Sequence, residues 1–500
     1  MTEPIYDLAI VGGGINGTGI AADAAGRGLK VLLAEMGDLG GATSSASSKL
    51  IHGGLRYLEH YEFRLVREAL EERETLLARA PHIIWPLRFV LPHARGMRPA
   101  ALIRAGLFLY DHLAGRRRLP GSSAIDLARD PAGQALKPEL RHGFTYWDCW
   151  VDDARLVVLN ARAAADRGAV ILTRTPVIAM RAAEGLWQVT LGAEESRRQV
   201  SARAVVNAAG PWVDTVGRSV AGGETEGHAP RLRLVKGSHI VVPRIAHAED
   251  AYLLQNGDGR VVFALPFEER FTLIGTTDVP FSEDPAKPSI SAEEESYLIE
   301  LASNFFARGL ARRDIVWRYS GVRPLFDDRS ADPSAVSRDY RLELAAGAGS
   351  PPLLTVIGGK ITTHRRLAEA ALERLAPHLP AMRPAWTAGA PLPGGDVGEG
   401  GIEGLQLDLG WRRPDIPAAM IARLVRRYGT DADALLGDAH AIADLGADLG
   451  GGLTEREVVY LREREWARVP DDVLWRRTKA GLHMTPAERL WAADRIARLL

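Results

Sequence analysis

A strand that runs directly into a glycine-rich turn is the feature that most constrains the fold of this chain. Residues 6–11 are largely apolar, and glycines at positions 12, 14 and 17 follow in a G-x-G-x-x-G pattern. In this pattern the glycines allow a tight turn, close approach of the backbone to a pyrophosphate, and close packing of helix on strand. The spacing predicts a helix from about residue 16 to residue 27, with its N-terminus facing phosphate groups.

A second strand over residues 30–35 completes a dinucleotide-binding unit. It ends in Glu35, whose carboxylate is placed to accept hydrogen bonds from a ribose. The polar loop 43–48 follows directly and suits a cofactor bound in an extended form, so we expect FAD rather than NAD. Because the chain has no second strand-linked fingerprint, we expect the electrons to come from a small substrate.

Composition excludes several other chemistries. Cys149 is the only cysteine, so the chain cannot form an intramolecular disulfide, a cysteine-based zinc site or an iron–sulfur cluster, and we predict no metal site. The formal net charge of −1 gives no overall attraction to nucleic acid. The chain starts without a secretory signal and contains no long apolar run, so we expect a cytoplasmic protein.

The remaining pattern predicts an α/β plus α+β fold with three units. Strands near 168–172, 185–191, 202–207 and 353–357 extend the nucleotide sheet, and residues 237–278 predict an antiparallel sheet. We expect a Rossmann-like FAD-binding domain of the glutathione-reductase and D-amino-acid-oxidase type, an antiparallel substrate domain and a helical C-terminal cap. The expected bounds are 1–80, 145–235 and 352–387 for the FAD-binding domain, 81–144 and 236–351 for the substrate and membrane-contact domain, and 388–500 for the cap.

Residues 42–57 strongly resemble the FAD-dependent glycerol-3-phosphate dehydrogenases of aerobic bacteria. The resemblance spans essentially the whole chain, through segments 150–155, 236–239, 275–278, 319–324, 337–340, 358–363 and 474–479. It implies oxidation of sn-glycerol 3-phosphate to dihydroxyacetone phosphate by hydride transfer to flavin N5. It further implies that the electrons pass to membrane quinone, in glycerol catabolism and the respiratory chain.

The resemblance also implies a substrate site. A phosphomonoester needs several cations that converge on one pocket. The implied substrate contacts come from separate motif segments, and we expect the cations among them to lie at turns or strand ends: Arg56, Tyr57, Arg323, Arg338 and Lys360. Fingerprint and resemblance together imply FAD contacts from Gly12, Gly14, Asn16, Gly17, Glu35, Thr43, Ser44, Ser45, Ser48, Lys49, Val177, Ala208, Gly210, Gly359, Lys360, Ile361 and Thr362.

Two histidines are candidates for the base that removes the hydroxyl proton. His52 precedes a pair of glycines, and His239 follows Gly237 and Ser238. Resemblance to related oxidases favours His52, and His239 is the alternative. Arg323 is a further catalytic candidate, because it could hold the substrate oxygen as it becomes a carbonyl.

Residues 97–118 form a basic, amphipathic stretch. A helix here would share one broad apolar side among Leu102, Ile103, Leu107, Leu109, Tyr110 and Leu113. It either packs on its own domain or rests on a membrane. Since quinone is insoluble in water, the implied function favours a monotopic anchor on the inner face of the cytoplasmic membrane.

Two other functions stay open at this stage. One is a glycerol-3-phosphate oxidase that produces hydrogen peroxide, and the other is a non-catalytic flavin-binding protein. A homodimer is one of the oligomeric states that the sequence leaves open.

Overall fold

Two large β-sheets and a helical C-terminal region make up the fold. The computed structural model describes residues 4–94, 97–115, 118–192, 197–221, 232–246, 249–256, 260–327, 339–347 and 350–500. The strands are β1 (Ile5–Val11), β2 (Val31–Ala34), β3 (Leu50–Ile51), β4 (Ile84–His93), β5 (Ser123–Asp126), β6 (His142–Val151), β7 (Val170–Leu172), β8 (Val177–Ala183), β9 (Leu186–Leu191), β10 (Arg198–Asn207), β11 (Val220–Ala221), β12 (Leu232–Pro243), β13 (Ala251–Gln255), β14 (Val261–Phe267), β15 (Phe271–Gly275), β16 (Val279–Pro280), β17 (Trp317–Phe326), β18 (Arg341–Ala345) and β19 (Leu353–Ile357). The helices are α1 (Ile15–Gly26), α2 (Phe63–Arg79), α3 (Ala100–His112), α4 (Asp153–Ala165), α5 (Val213–Arg218), α6 (Ala292–Phe305), α7 (His364–Leu375), α8 (Gly401–Arg412), α9 (Ala418–Tyr428), α10 (Asp431–Leu436), α11 (Glu455–Glu465) and α12 (Pro486–Leu499).

The first sheet has a parallel centre in the order β7, β2, β1, β10, β19. The end of β1 and all of β2 are buried, as expected where helices cover both faces of a parallel sheet. Helix α1 packs against α4 and α7, and its Ile20, Ala21 and Ala24 are buried. The predicted strand, turn, helix and strand are therefore confirmed, and β7 joins them as predicted.

The second sheet is antiparallel except where β13 runs parallel to β4. Its order is β16, β12, β15, β14, β13, β4, β6, β3, and β17 also pairs with β12. The predicted antiparallel sheet over residues 237–278 is confirmed. It is larger than predicted, because β4, β5 and β6 join it from an earlier part of the chain.

The C-terminal helices α8 to α12 surround a hydrophobic core of their own, so the predicted helical cap is confirmed. The exact division of the chain into three units stays a prediction. Its boundary at residue 145 falls inside β6, which belongs to the second sheet along its whole length.

Helix α3 lies partly inside the protein. Leu107 and Tyr110 are buried in a hydrophobic core with residues of β4 and β6. Leu102, Phe108 and Leu109 are 58%, 64% and 36% exposed. The broad apolar side expected from the sequence is thus only partly covered, because Leu107 and Tyr110 at one edge are buried whereas Leu102 and Leu109 at the other edge are exposed. None of the described helices is long and apolar enough to cross a bilayer.

Candidate active site

The glycine fingerprint forms the turn that the sequence predicts. Gly12 has a φ of +108°, and a Cβ on it would lie 2.6 Å from the carbonyl oxygen of Ala208. A Cβ on Gly17 would lie 2.0 Å from the carbonyl oxygen of Gly12. Neither position has room for a side chain, so bare backbone surrounds the N-terminus of α1, where such units bind a pyrophosphate.

Glu35 lies beside this turn. Its Oε2 accepts a hydrogen bond from the Gly13 N–H at 2.6 Å, and its Oε1 accepts one from the Gly37 N–H at 2.7 Å. Burial raises the pKa of Glu35, and the two N–H groups oppose that shift. A carboxylate offers about four acceptor positions, so it retains capacity for ribose hydroxyls.

Two polar side chains of loop 43–48 form hydrogen bonds with other parts of the protein. Ser44 Oγ accepts a hydrogen bond from the backbone N–H of Ile15 at 3.0 Å. Thr43 Oγ1 donates to the carbonyl oxygen of Val322 at 2.6 Å. These two bonds fix the loop against α1 on one side and β17 on the other.

Lys49 anchors the end of that loop. Its Nζ lies 2.7 Å from Asp153 Oδ1 and donates to the carbonyl oxygen of Ser45 at 3.1 Å. Burial lowers the pKa of Lys49, and the charge of Asp153 opposes that shift. The predicted FAD contact of Lys49 stays a prediction, and the geometry favours a role in shaping the loop.

Asn16 and Gly359 form a polar cradle next to the fingerprint. Asn16 Nδ2 donates to the carbonyl oxygen of Gly358 at 3.0 Å, whereas its Oδ1 is buried and has no protein donor. A Cβ on Gly359, at φ +96°, would lie 3.1 Å from Asn16 Nδ2. Buried acceptors are normally satisfied. FAD carries hydroxyl donors along its extended chain, so these residues fit the cofactor.

Other predicted cofactor residues flank the cradle and the ribose end. Val177 begins β8, next to Thr175, whose N–H donates to the carbonyl oxygen of Glu35 at 2.8 Å. Gly210 follows β10 and has open space where a Cβ would stand. The cofactor contacts of these residues, and of Gly14, Ser45, Ser48, Ile361 and Thr362, stay predictions.

Two contacts join the motif segments around His52. The backbone N–H of His52 donates to Thr362 Oγ1 at 3.3 Å. Lys360 Nζ stands 3.8 Å from the centre of the Tyr57 ring, a cation–π distance. The structure therefore brings the segments of His52, Tyr57 and Lys360 together beside the cradle.

A buried network that the sequence analysis missed supports the backbone next to His52. The Gly53 N–H donates to Tyr110 Oη at 2.8 Å, and the Tyr110 hydroxyl lies 2.8 and 2.9 Å from the two oxygens of Asp148. Arg73 donates to the same carboxylate at 2.9 Å. The sequence does show an acidic residue, Asp148, within an apolar strand. Because a buried charge requires partners, this residue could have predicted such a network.

His239 is enclosed by the protein, with two cations nearby. It is 1% exposed, its Nε2 lies 3.0 Å from Ser48 Oγ, and its ring stacks on Tyr319 with 4.7 Å between centroids. Burial holds the pKa of His239 well below its ordinary value, and the charges of Arg323 and Lys49 add to the effect. The imidazole is therefore neutral at neutral pH and suited to hydrogen bonding.

Arg323 lies inside β17, which corrects the expectation that it stands at a turn or strand end. Gly321, on the same strand, pairs with Gly237 of β12. A Cβ on Gly321 would lie 2.8 Å from the Cβ of Ala46. The glycine is thus needed for close approach of the loop, which is a common reason for glycine within strands.

The guanidinium of Arg323 is tightly surrounded. It forms an ion pair with Asp278 and lies 3.4 Å from Thr276 Oγ1. A Cβ on Gly237 would lie 2.7 Å from Arg323 Nη2.

The residue after Arg323, Pro324, approaches segment 358–360, because its carbonyl oxygen would lie 3.6 Å from a Cβ on Gly358. Arg323 and Lys360 therefore belong to adjoining segments.

Glu294 of α6 joins segments 236–238 and 275–278, and the sequence analysis missed it although it forms an S-x-x-E capping box with Ser291. Its Oε1 accepts hydrogen bonds from Ser238 Oγ at 2.9 Å and Thr277 Oγ1 at 2.7 Å. Its Oε2 lies 2.9 Å from Lys236 Nζ. Burial alone would raise the pKa of Glu294, but the hydrogen bond from the Ser291 backbone N–H, together with these contacts, holds it below its ordinary value. Lys236 is thus part of an ion pair in the framework of the site.

Two predicted substrate contacts cannot be placed. Arg338 and the side chain of Arg56 lie outside the described residues. Their roles stay predictions.

Comparison with known proteins establishes the class. Residues 7–365 match the family model described as FAD dependent oxidoreductase. Residues 385–500 match the C-terminal domain of alpha-glycerophosphate oxidase. The chain is therefore an FAD-dependent oxidoreductase, and FAD is its cofactor, as the fingerprint and cradle indicate.

Relatives narrow the class to one family. A glycerol-3-phosphate dehydrogenase of Pseudomonas aeruginosa is 54% identical over 97% of this chain and 94% of its own length. The D-erythritol 1-phosphate dehydrogenase of Brucella abortus is 51% identical, covering 98% of this chain and 97% of the relative. The glycerol-3-phosphate dehydrogenase structure from Bacillus halodurans, complexed with FAD, is 27% identical, with a TM-score of 0.74 over 100% of this chain and 95% of that one. The chain belongs to the glycerol-3-phosphate dehydrogenase family, which confirms the resemblance.

Proposed function

We propose that this protein oxidises sn-glycerol 3-phosphate to dihydroxyacetone phosphate and passes the electrons to a membrane quinone. The observation that carries the proposal is the pair of cations, Arg323 and Lys360, on adjoining segments beside the FAD cradle. A phosphate dianion is bound best by converging cationic donors. The relative that is 54% identical is named for this substrate.

The residues of the site have different roles in the proposed reaction. FAD, when bound, supplies the two-electron acceptor for the hydride of the secondary carbon. His52 takes the hydroxyl proton, and the Tyr110 and Asp148 network holds the adjacent Gly53 backbone in place. Arg323 stabilises the substrate oxygen as it becomes a carbonyl.

Anaerobic titration of the yellow holoenzyme with sn-glycerol 3-phosphate tests the proposal. We expect the absorbance of oxidised flavin to disappear while dihydroxyacetone phosphate forms in equal amount. Flavin that stays oxidised would refute it. Two further measurements then separate a dehydrogenase from an oxidase. The reduced flavin of a dehydrogenase is reoxidised by a soluble quinone and forms no hydrogen peroxide in air, whereas that of an oxidase forms hydrogen peroxide.

D-erythritol 1-phosphate is a second candidate substrate. The observation that favours it is the Brucella relative named for that substrate, which matches almost the whole chain. Both compounds place a secondary alcohol near a phosphomonoester, so the same cations serve either one. The same titration with each compound, compared by the rate of flavin reduction, decides between them.

We also propose that α3 rests on the inner face of the cytoplasmic membrane. Leu102, Phe108 and Leu109 project from the protein surface, and Arg104 of the same helix is exposed. Apolar side chains with flanking cations favour binding in the plane of an anionic bilayer. Such binding would bring the flavin enzyme to the membrane phase in which quinone dissolves.

Replacing Leu102, Phe108 and Leu109 together by Ser is expected to move the protein from the membrane pellet to the supernatant. The physical reason is loss of the apolar contact with lipid, while the buried Leu107 and Tyr110 keep the helix on its domain. Sedimentation with vesicles measures the shift. Activity with a water-soluble dye should persist.

Leu407 and Trp411 provide a matched control, because they are 76% and 83% exposed on helix α8 of the cap. Their replacement by Ser should leave sedimentation unchanged. If the α3 variant still sediments and the cap variant does not, the membrane contact lies on the cap.

A further inference from the structure

Segment 472–479 of the cap, called here the clamp, reaches the nucleotide-binding part of the chain. The buried guanidinium of Arg477 donates to both oxygens of Asp38, at 2.5 and 2.8 Å. Arg476 Nε donates to the same carboxylate at 2.5 Å. Burial alone would raise the pKa of Asp38, but the two guanidinium groups hold it below its ordinary value. The cap therefore neutralises a buried carboxylate of another part of the protein.

Asp38 belongs to the loop that carries Glu35, residues 35–41, called here the ribose loop. On one side of Asp38, the Gly37 N–H bonds to the Glu35 carboxylate. On the other side, the Gly40 N–H donates to the carbonyl oxygen of Gly13 at 3.0 Å. The position of Asp38 thus affects both the ribose carboxylate and the fingerprint turn.

The clamp holds the ribose loop through a second residue as well. The backbone N–H of Arg174 donates to the carbonyl oxygen of Gly37 at 2.8 Å. The side chain of Arg174 donates to the two oxygens of Asp472 at 3.0 and 2.7 Å. Arg174 therefore connects the ribose loop to the clamp independently of Asp38.

The other end of the clamp reaches loop 43–49 indirectly. Lys479 Nζ lies 2.7 Å from Asp152 Oδ1, at the N-terminus of α4. The next residue, Asp153, holds Lys49 at the end of that loop. Trp475 stacks on Trp317 of β17, with 5.1 Å between ring centroids. The clamp thus contacts the ribose loop and β17 directly, and it reaches loop 43–49 through the N-terminus of α4.

We propose that the clamp retains FAD: it holds the ribose loop in its binding conformation, so that docking of the cap and binding of FAD stabilise each other. The inference rests on the proposed placement of the ribose at Glu35. A preformed loop binds more tightly because less conformational entropy is lost on binding. Coupling of this kind is reciprocal, so FAD also stabilises the docked clamp.

Arg477→Ala tests the proposal through FAD affinity, measured by titrating apoprotein with FAD and following the quenching of flavin fluorescence. We expect the dissociation constant to rise about tenfold or more, within the usual range of coupling between sites. Arg476→Ala, at a less buried position, should give a smaller rise in the same direction and serves if Arg477→Ala does not fold. Asp431→Asn is the matched control. Asp431 of the cap forms another ion pair with α4, in which its Oδ2 lies 2.5 Å from Arg162 Nη1. This ion pair has no contact with the ribose loop, and the variant removes its negative charge. Its FAD affinity should equal that of the wild type.

Reciprocity gives a second readout in the unaltered protein. FAD added to the apoprotein is expected to slow hydrogen exchange of the amides of residues 472–479. Glu35→Gln should weaken FAD binding directly. If Glu35→Gln weakens FAD binding and both clamp variants leave it unchanged, the clamp inference is overturned and the nucleotide site stands. If Glu35→Gln has no effect, the ribose placement is wrong and the inference falls with it.

Discussion

His52→Gln is expected to slow the anaerobic reduction of the flavin by sn-glycerol 3-phosphate by at least about 100-fold, the usual contribution of a positioned general base. Glutamine keeps similar volume and hydrogen bonding but takes up no proton at neutral pH. The backbone bond from residue 52 to Thr362 persists in the variant, so FAD binding should be retained. Stopped-flow absorbance gives the rate. The fall in rate toward acid pH, which reports protonation of the base, should disappear.

His52 is chosen over His239 because of the free energy that each imidazole requires to carry a proton inside the protein. A general base must become a cation during the step, and it works best when its pKa lies near the operating pH. His239 is fully enclosed, and burial holds its pKa well below its ordinary value. His52 is only partly buried, so its protonation costs less desolvation. We therefore propose His52 as the acceptor, and His239 as a neutral hydrogen-bonding ring.

His239→Gln is the matched control for that experiment. It should retain fast, pH-dependent flavin reduction. The opposite pattern, with loss in the His239 variant and retention in the His52 variant, would make His239 the base. If both variants react like the wild type, the base is not a histidine of these motifs.

The parts of the fold that the sequence predicts are those whose determinants lie close together in the chain. Residues 6–35 contain the strand, the glycine turn, the helix and Glu35, so their pattern alone indicates the unit. The apolar alternation over residues 237–278 likewise predicts its antiparallel sheet. In both regions the periodicity of burial is local and therefore visible in the sequence.

The parts that escaped prediction depend on contacts between distant residues. Asp38 and Arg477 are separated by 439 positions, and neither carries a local signal of its partner. Arg323 was expected at a turn or strand end but lies inside β17, where the nearby Gly321 is required by close contact with Ala46. The sequence likewise did not show which edge of the apolar side of α3 packs inward, where Tyr110 bonds with Gly53. The spacing of apolar residues predicts a helix, but it does not show which face of the helix contacts the rest of the protein.

Arg323→Ala is expected to lower kcat/KM for sn-glycerol 3-phosphate by roughly 1,000-fold, equivalent to about 4 kcal/mol. Part of the loss is the missing cation for the substrate oxygens. The rest comes from Asp278, whose carboxylate loses its ion pair with Arg323 and then repels the phosphate dianion. Steady-state kinetics with a soluble dye measure the effect, with FAD content checked by absorbance. Arg318→Ala on the same strand is the control, because Arg318 is half-exposed and pairs with Glu295, and its kinetics should match the wild type.

The double variant Arg323→Ala/Asp278→Ala separates these two causes. If repulsion contributes as argued, removing the carboxylate should restore at least about tenfold of the lost kcat/KM, because residues in one ion pair are energetically coupled. Asp278→Ala alone should cost less than Arg323→Ala, since the cation that faces the substrate remains. A double variant that is no better than Arg323→Ala would show that Asp278 only orients the guanidinium. Wild-type kinetics in Arg323→Ala would remove Arg323 from the substrate site and leave Lys360, Arg56 and Arg338 as its candidate cations.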